Sequence, residues 1–187
     1  MNVAEVLSGA DVRQEIFCEE PKTELIGGVL IMPPSPMPIH NRRGRRIINI
    51  LENYLFGKTA ELFYETDVHL TENDIYRPDI MIVCDPEKIK EDGIYGAPDL
   101  VVEILSPSTE KYDRGGKMEV YGQCGVKEYW LVDTEKLSVE VYLQTGDSDL
   151  CSLNLHNIYA IGSQAQFKTS LFDDLLICLE DIFYELI

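Results

Sequence analysis

Residues 99–105 are the sequence feature that most restricts the fold, because they set one acidic side chain inside a short apolar run. In a strand, Glu103 shares one face with Val101 and Leu105, while the residues between them point to the opposite face. An unpaired buried carboxylate costs several kcal/mol or shifts its pKa. We therefore expect Glu103 to be either a structural carboxylate with a partner or a functional one.

Other short segments are also rich in β-branched or aromatic residues and bounded by turn residues, which is typical of strands. They are residues 61–70, 77–84, 128–133 and 138–143. A further strand over residues 24–32 is broken at Gly27 and Gly28, which predicts an N-terminal β-hairpin. The polar residues 85–98 are expected to form a surface loop.

Two stretches have helical spacing. Apolar positions repeat through residues 39–56, after a proline-rich connector at 33–38, and Gly57 follows as a stop. A second helix is predicted from near Asp113 to Gly125, and a short C-terminal helix around residues 179–186.

This order of elements predicts an α/β fold with a mixed central β-sheet flanked by helices. At 187 residues without a clear linker, residues 1–187 are expected to form one domain.

Composition narrows the classes of function. The apolar runs are too short for a membrane span and the N-terminus lacks a signal-peptide pattern, so we expect a cytoplasmic protein. Five scattered cysteines without paired spacing argue against a zinc site or a disulfide framework. The net charge of −17 argues against chain-wide affinity for DNA. Screening over about 10 Å still allows a local basic patch to act separately.

A metal at Glu103 would need a second carboxylate close by. Asp99 shares its face but lies about 13 Å away along the strand. Asp79 begins the preceding strand, and if the two strands pair, the side chains are about 5 Å apart, which suits two ligands of one Mg²⁺. Lys117 falls on the helical stripe expected to face the sheet, so its ammonium should meet an acid or serve catalysis there.

Structural roles remain open for the same residues. Asp79 could cap its strand, and Glu103 could be satisfied by Arg77 or by Lys117 in a plain salt bridge. His40 lies where the first helix meets the core or a cleft, and it is either a core-edge histidine or a functional one.

The basic start of the first helix is a candidate nucleic-acid contact. Together with His40, the residues assigned to it are Arg42, Arg43 and Arg46. These arginines cannot all share one face, and neighbouring carboxylates such as Glu52 favour a solvated surface as the alternative.

The continuous stretches 76–80, 96–109, 113–117 and 125–133 resemble the Uma family of restriction endonucleases. The resemblance extends over about residues 23–143 and includes Glu24, the proline-rich connector and His40. It implies a PD-(D/E)XK nuclease-like fold, with Asp79 and Glu103 as metal ligands and the family's lysine moved to a following helix at Lys117. The family often has an acid where this chain has Val29, so an accessory acidic role in the hairpin is expected to be absent.

These observations give two hypotheses. In the first, Asp79, Glu103 and the backbone carbonyl of Ile104 hold Mg²⁺ or Mn²⁺, Lys117 supports attack by water, and the protein is a DNA endonuclease. Because related nucleases pair to reach both strands, a homodimer is expected. In the second, the nuclease fold is catalytically weak or inactive and acts as an interaction module. The net charge of −17 and the valine at position 29, where the family often has an acid, suggest this alternative.

Overall fold

The structure is a computed structural model that describes residues 23–146, 151–163 and 165–184. Its strands in chain order are β1 (Glu24–Ile26), β2 (Val29–Ile31), β3 (Glu61–Tyr64), β4 (Val68–Thr71), β5 (Asp74–Tyr76), β6 (Ile80–Val83), β7 (Ile89–Lys90), β8 (Gly93–Tyr95), β9 (Leu100–Ile104), β10 (Glu128–Asp133), β11 (Ser138–Thr145), β12 (Ser152–Ala160), β13 (Gln166–Lys168) and β14 (Leu176–Cys178). Its helical segments are α1 (Pro38–Leu55), a 3-10 turn (Pro86–Lys88), α2 (Glu110–Tyr112), a π-helical segment (Asp113–Lys117), α3 (Met118–Cys124) and α4 (Leu179–Phe183).

Two six-stranded sheets organise the described residues. The central sheet has the order β12-β11-β10-β9-β6-β3, and within it β9 and β10 run parallel while the other pairs are antiparallel. The second sheet has the order β2-β1-β5-β4-β8-β7, and its first two strands form the predicted N-terminal hairpin. The predicted α/β fold with a mixed central sheet is confirmed.

Strand β9 lies at the centre of this arrangement, between β6 and β10, and all five of its residues are buried. One face, with Val102, packs against α1 through residues such as Ile47. The opposite face, with Val101, packs in a second cluster with Tyr121 of α3 and Tyr129 of β10. Helices therefore cover both faces of β9, which is why a strand with such an apolar sequence is stable there.

Two segments differ from the prediction. Residues 61–70 are not one strand, because the backbone at Glu65 takes a left-handed conformation (φ 47°) and the chain then moves from the central sheet into the second sheet. Residues 85–98 are not simply a loop, since they contain the short antiparallel pair β7 and β8. Strand β8 also pairs in parallel with β4.

Arginines of α1 hold the end of helix α4. Arg43 is 1% exposed and donates to the carbonyls of Ile182 and Tyr184, and Arg46 donates to the same two carbonyls. Their guanidinium groups also lie over the rings of Phe183 and Tyr184. The last carbonyls of a helix lack partners within it, so these arginines satisfy them. The prediction that Arg43 contacts nucleic acid is wrong, because the side chain is buried, and Arg46 is engaged in the same way.

No helix in the described part of the chain is both long enough and apolar enough to cross a membrane.

Replacing Arg43 by alanine should lower the free energy of unfolding by about 1.5–3 kcal/mol, because it removes charge-assisted hydrogen bonds to buried carbonyls. Urea denaturation would measure the loss. Arg45→Ala, at an exposed position of the same helix, is the matched control and should change stability by less than about 0.5 kcal/mol. Equal effects of the two substitutions would contradict the assigned role of Arg43.

Candidate active site

Asp79 and Glu103 meet where β6 and β9 pair. The antiparallel register joins Ile80 to Val102, so Asp79 and Glu103 take the next opposed positions. The Asp79 amide donates to Glu103 Oε2 at 3.3 Å, and the Ile104 amide donates to Asp79 Oδ2 at 2.7 Å. Each carboxylate therefore binds the backbone of the neighbouring strand, and the structure brings the predicted pair together.

Lys117 lies at the centre of a group of carboxylates, here called the Lys117 cluster. Its Nζ is 2.9 Å from Glu24 Oε1, 3.2 Å from Glu103 Oε1 and 3.7 Å from Asp113 Oδ1. All four residues are buried. The Tyr121 hydroxyl also donates to Glu103 Oε1 at 3.2 Å. The predicted meeting of Lys117 with an acid of the sheet is therefore found, with two further acids beside it.

The π-helical segment accounts for the position of Lys117. It brings Asp113 and Lys117, four residues apart, to the same side of the chain. Gly115 has φ −115° and ψ −107°, which departs from helical geometry, and added Cβ atoms at Gly115 and Gly116 would meet nothing within 4 Å. Close packing therefore does not require glycine at either position. A helix start at Asp113 was expected, but the chain is already helical at Glu110.

Asp113 and Glu24 are the two acids of the Lys117 cluster that were not predicted as site residues, and only Glu24 comes from the hairpin. It stands in β1, is 6% exposed, and its Oε1 also accepts a hydrogen bond from the Arg77 amide at 2.8 Å. Val29, the hairpin position at which related chains often have an acid, is 61% exposed. The hairpin therefore brings an acid to the site at Glu24, although it has none at Val29. The signal was present in the sequence, since Glu24 opens a segment that carries the family resemblance.

His40 contacts the same site from the first turn of α1. Its Nε2 lies 3.1 Å from Asp79 Oδ2. Burial lowers the pKa of His40, but the hydrogen bond and negative charge of Asp79 outweigh it, so the pKa is raised overall. Arg42, which was predicted together with His40 to contact nucleic acid, has an exposed side chain.

These groups open into a cleft of about 770 Å³. Its lining includes the proline-rich connector at residues 33–37, the segment 106–109 with three hydroxyl side chains, and the Lys117 cluster with His40 and Asp79. A neighbouring cleft of about 420 Å³ shares His40 and Asp79. With 24% of its side chain exposed, Asp79 is more accessible to a ligand than the acids of the Lys117 cluster, whose side chains are 3–7% exposed.

Negative charge exceeds positive charge at this site. Burial raises the pKa of Glu103 well above its ordinary value, and nearby Asp113, Asp79 and Glu24 raise it further against the opposing charge of Lys117. Burial likewise raises the pKa of Asp113 to about 6. For Lys117, burial lowers the pKa, but Glu103 and Glu24 outweigh it and the pKa is raised, so its ammonium remains charged.

The donor set fits a divalent cation bound through oxygen. Four carboxylates share one lysine and one histidine, and a divalent ion would compensate the surplus negative charge. As the side chains stand, no three acidic, histidine or cysteine groups of residues 23–146, 151–163 and 165–184 are arranged as a ready metal site. Lys117 lies between Glu24, Glu103 and Asp113 instead, so metal binding would need the carboxylates to reorient.

The free energy of unfolding should fall by up to about 3 kcal/mol as the pH rises from about 4 to 6. The reason is that burial raises the pKa of Asp113 from 3.8 to about 6. The native state holds a proton that the unfolded chain releases in this range, so ionisation costs native stability. Asp113→Asn mimics the protonated form and should flatten this part of the profile. Urea denaturation at several pH values would test this, and identical profiles would contradict it.

Comparisons with known proteins place the chain in a family. Over residues 12–160 it matches the family described as "Uma2: Putative restriction endonuclease". The "Uncharacterized protein slr1290" of Synechocystis sp. is 34% identical over 112 residues, which cover 58% of this chain and 59% of that protein, so the match spans less than two thirds of that relative. The "Uncharacterized protein sll1609" of the same organism is 26% identical over 147 residues, covering 76% and 83%.

A solved structure has the same fold. The crystal structure of "a putative nuclease belonging to DUF820" from Anabaena variabilis superposes with a TM-score of 0.70 at 20% sequence identity, covering 92% of this chain and 96% of that one. With the family match spanning most of the sequence, these findings identify the chain as a member of the Uma2 family, described as "Putative restriction endonuclease".

Proposed function

We propose that the protein is a divalent-metal-dependent endonuclease that hydrolyses phosphodiester bonds of DNA. The observation that carries the proposal is the meeting of Asp79 and Glu103 from adjacent strands with the buried ammonium of Lys117, in an open cleft. Two carboxylates and a lysine are the groups that hold a metal and stabilise negative charge in phosphodiester cleavage. Membership of the Uma2 family supports the same reaction class.

Asp79 and Glu103, with the backbone carbonyl of Ile104, are the proposed ligands of Mg²⁺ or Mn²⁺. Glu24 is a further candidate ligand, because it contacts Lys117 as Glu103 does. A bound ion would polarise the phosphodiester and lower the pKa of a water molecule.

The chain's own residues have distinct roles in this proposal. Lys117 keeps its positive charge and is aimed at Glu103, so it can orient the attacking water and steady the charge that develops on the phosphate. His40 and the Ile104 amide both hold Oδ2 of Asp79, so they fix the direction of that carboxylate. Positioning of this kind matters because misplacement by about 1 Å can cost roughly 100-fold in rate.

An interaction module without catalysis is the second candidate. Lys117 already forms salt bridges with Glu24 and Glu103, so this cluster is charge-paired without any metal. The net charge of −17 also opposes binding to a polyanion. A module of this kind would bind neither metal nor DNA at the cleft, which makes metal binding the discriminating property.

For the endonuclease, we propose a homodimer as the acting unit, because two sites are needed to cut both strands.

Purified protein should nick supercoiled plasmid DNA in the presence of Mg²⁺ or Mn²⁺ and not in EDTA. Glu103→Gln and Asp79→Asn remove ligand charge at nearly constant size and should each lower the rate by at least about 100-fold. Gel quantification of nicked plasmid measures this. Glu119→Gln, at an exposed position of α3, is the control and should retain activity. Full nicking by Glu103→Gln would rule out this mechanism.

Saturating Mn²⁺ should raise the melting temperature by about 5–10 °C at 100-fold excess over Kd. The rise should be smaller at pH 5.5 than at pH 7.5, because burial keeps Glu103 protonated at low pH and a metal needs the ionised form. Differential scanning calorimetry measures the shift, with Glu119→Gln as control. An unchanged melting temperature, together with absent nicking, would favour the interaction module.

A further inference from the structure

The smaller of the two clefts adjoins the proposed metal site. It has a volume of about 420 Å³, and its walls come from α1 and from the end of β3. His40, Glu65 and Asp79 line both clefts, so the two clefts meet at the Asp79 carboxylate. A DNA strand bound at Asp79 can therefore continue into this second space, here called the Tyr64 cleft.

An exposed aromatic ring forms one wall of the Tyr64 cleft. Tyr64 is the last residue of β3 and pairs with Ile80, the residue after Asp79. Its side chain is 56% exposed, and within the described part of the chain its ring stacks on no other ring. Exposed aromatic rings of this kind are the platforms on which nucleobases stack in proteins that bind single-stranded nucleic acid.

Polar side chains of α1 form the opposite wall. Asn41 and Arg45, one helical turn apart, are both exposed and both line the cleft. Arg43 and Arg46 hold the end of α4, whereas Arg45 is placed at the cleft. Guanidinium groups bind phosphates, and amide groups hydrogen-bond to base edges. Arg45 is therefore suited to the phosphate of a nucleotide whose base meets Asn41.

Two carboxylates, of Glu52 and Glu65, also line the Tyr64 cleft. They repel a phosphate, but carboxylates accept hydrogen bonds from the exocyclic amino groups of bases. The net charge of −17 likewise opposes extensive contact with phosphates, whereas stacking on a base does not depend on net charge. The charges therefore favour a nucleobase over a phosphate as the group held inside this cleft.

Stacking on Tyr64 requires a base whose face is open. In a regular duplex each base is stacked between its neighbours, so it reaches a protein side chain of this kind only after it leaves the stack. Leaving the stack costs least where the base is unpaired from the start, as in a single strand or at a mismatch. A stacking site beside the phosphodiester that is cut therefore selects DNA with an unpaired base there.

We propose that the Tyr64 cleft binds an unpaired nucleobase of the DNA strand that is cut. Tyr64 stacks on the base, Asn41 hydrogen-bonds to its edge, and Arg45 contacts the adjoining phosphate. The preferred substrate is then a single strand, or a duplex with an unpaired base. This inference rests on the proposed nuclease function, because it takes Asp79 as the point at which the strand is cut.

Binding is tested by fluorescence anisotropy in Ca²⁺, with one labelled oligonucleotide used either as a single strand or annealed to its complement. The full chain should bind the single strand about tenfold more tightly than the duplex, and Tyr64→Ala should lose about tenfold in affinity for the single strand. Tyr64→Phe keeps the ring and should keep the affinity. Tyr95→Ala, at a 42% exposed tyrosine of β8 that lines neither cleft, is the control and should bind normally.

The phosphate contact is tested by the salt dependence of the same binding reaction. Arg45→Gln should make the slope of log affinity against log salt shallower by about 0.7, which corresponds to one lost phosphate contact in a single strand. Lys90→Gln, at an exposed position of β7, is the control and should leave the slope unchanged.

Equal affinity of Tyr64→Ala and the unmodified chain for the single strand would overturn the proposed base site, and so would the absence of any binding by the unmodified chain. Plasmid nicking, measured on the same preparations, separates this proposal from the nuclease activity. Nicking together with binding that does not depend on Tyr64 would remove only the base site. Binding that depends on Tyr64 without nicking would remove only the nuclease activity.

Discussion

The site depends on one buried ammonium that balances several buried carboxylates. Lys117 would be too costly to bury alone, and the same holds for Glu24, Glu103 and Asp113. Their mutual contacts make the burial of each charge tolerable, yet acids outnumber the lysine in this cluster. Burial, and after it the neighbouring acids, raises the pKa of Glu103 and of Asp113. A cluster that is nearly but not fully neutralised suits the binding of a cation.

The rest of the fold places these charges. Strand β9 is covered on both faces by helices, so Glu103 at its carboxyl end has little access to solvent. Pairing of β6 with β9 sets Asp79 beside Glu103, and the hairpin delivers Glu24 from the second sheet. The π-helical segment turns Lys117 inward, as such segments often do at functional sites. Four separate parts of the chain therefore converge on one cleft.

Much of this site was predictable because it follows from strand and helix periodicity. Alternation identified Glu103 as an acid among apolar residues, strand adjacency identified Asp79, and the helical stripe identified Lys117. Glu24 was missed because a three-residue strand has too little periodicity to show which side chains face the core. The burial of Arg43 was not predictable, since its partners lie near the other end of the chain.

Strand boundaries were predicted less well, for local reasons. The break at Glu65 needs a left-handed backbone in a residue that rarely adopts it, and β7 and β8 are too short to display alternation.

Anomalous scattering from crystals soaked in Mn²⁺ would show whether Asp79 and Glu103 share a divalent cation. We expect a peak within about 2–2.5 Å of oxygens from both carboxylates. Saturating Mn²⁺ with no peak between them would contradict it.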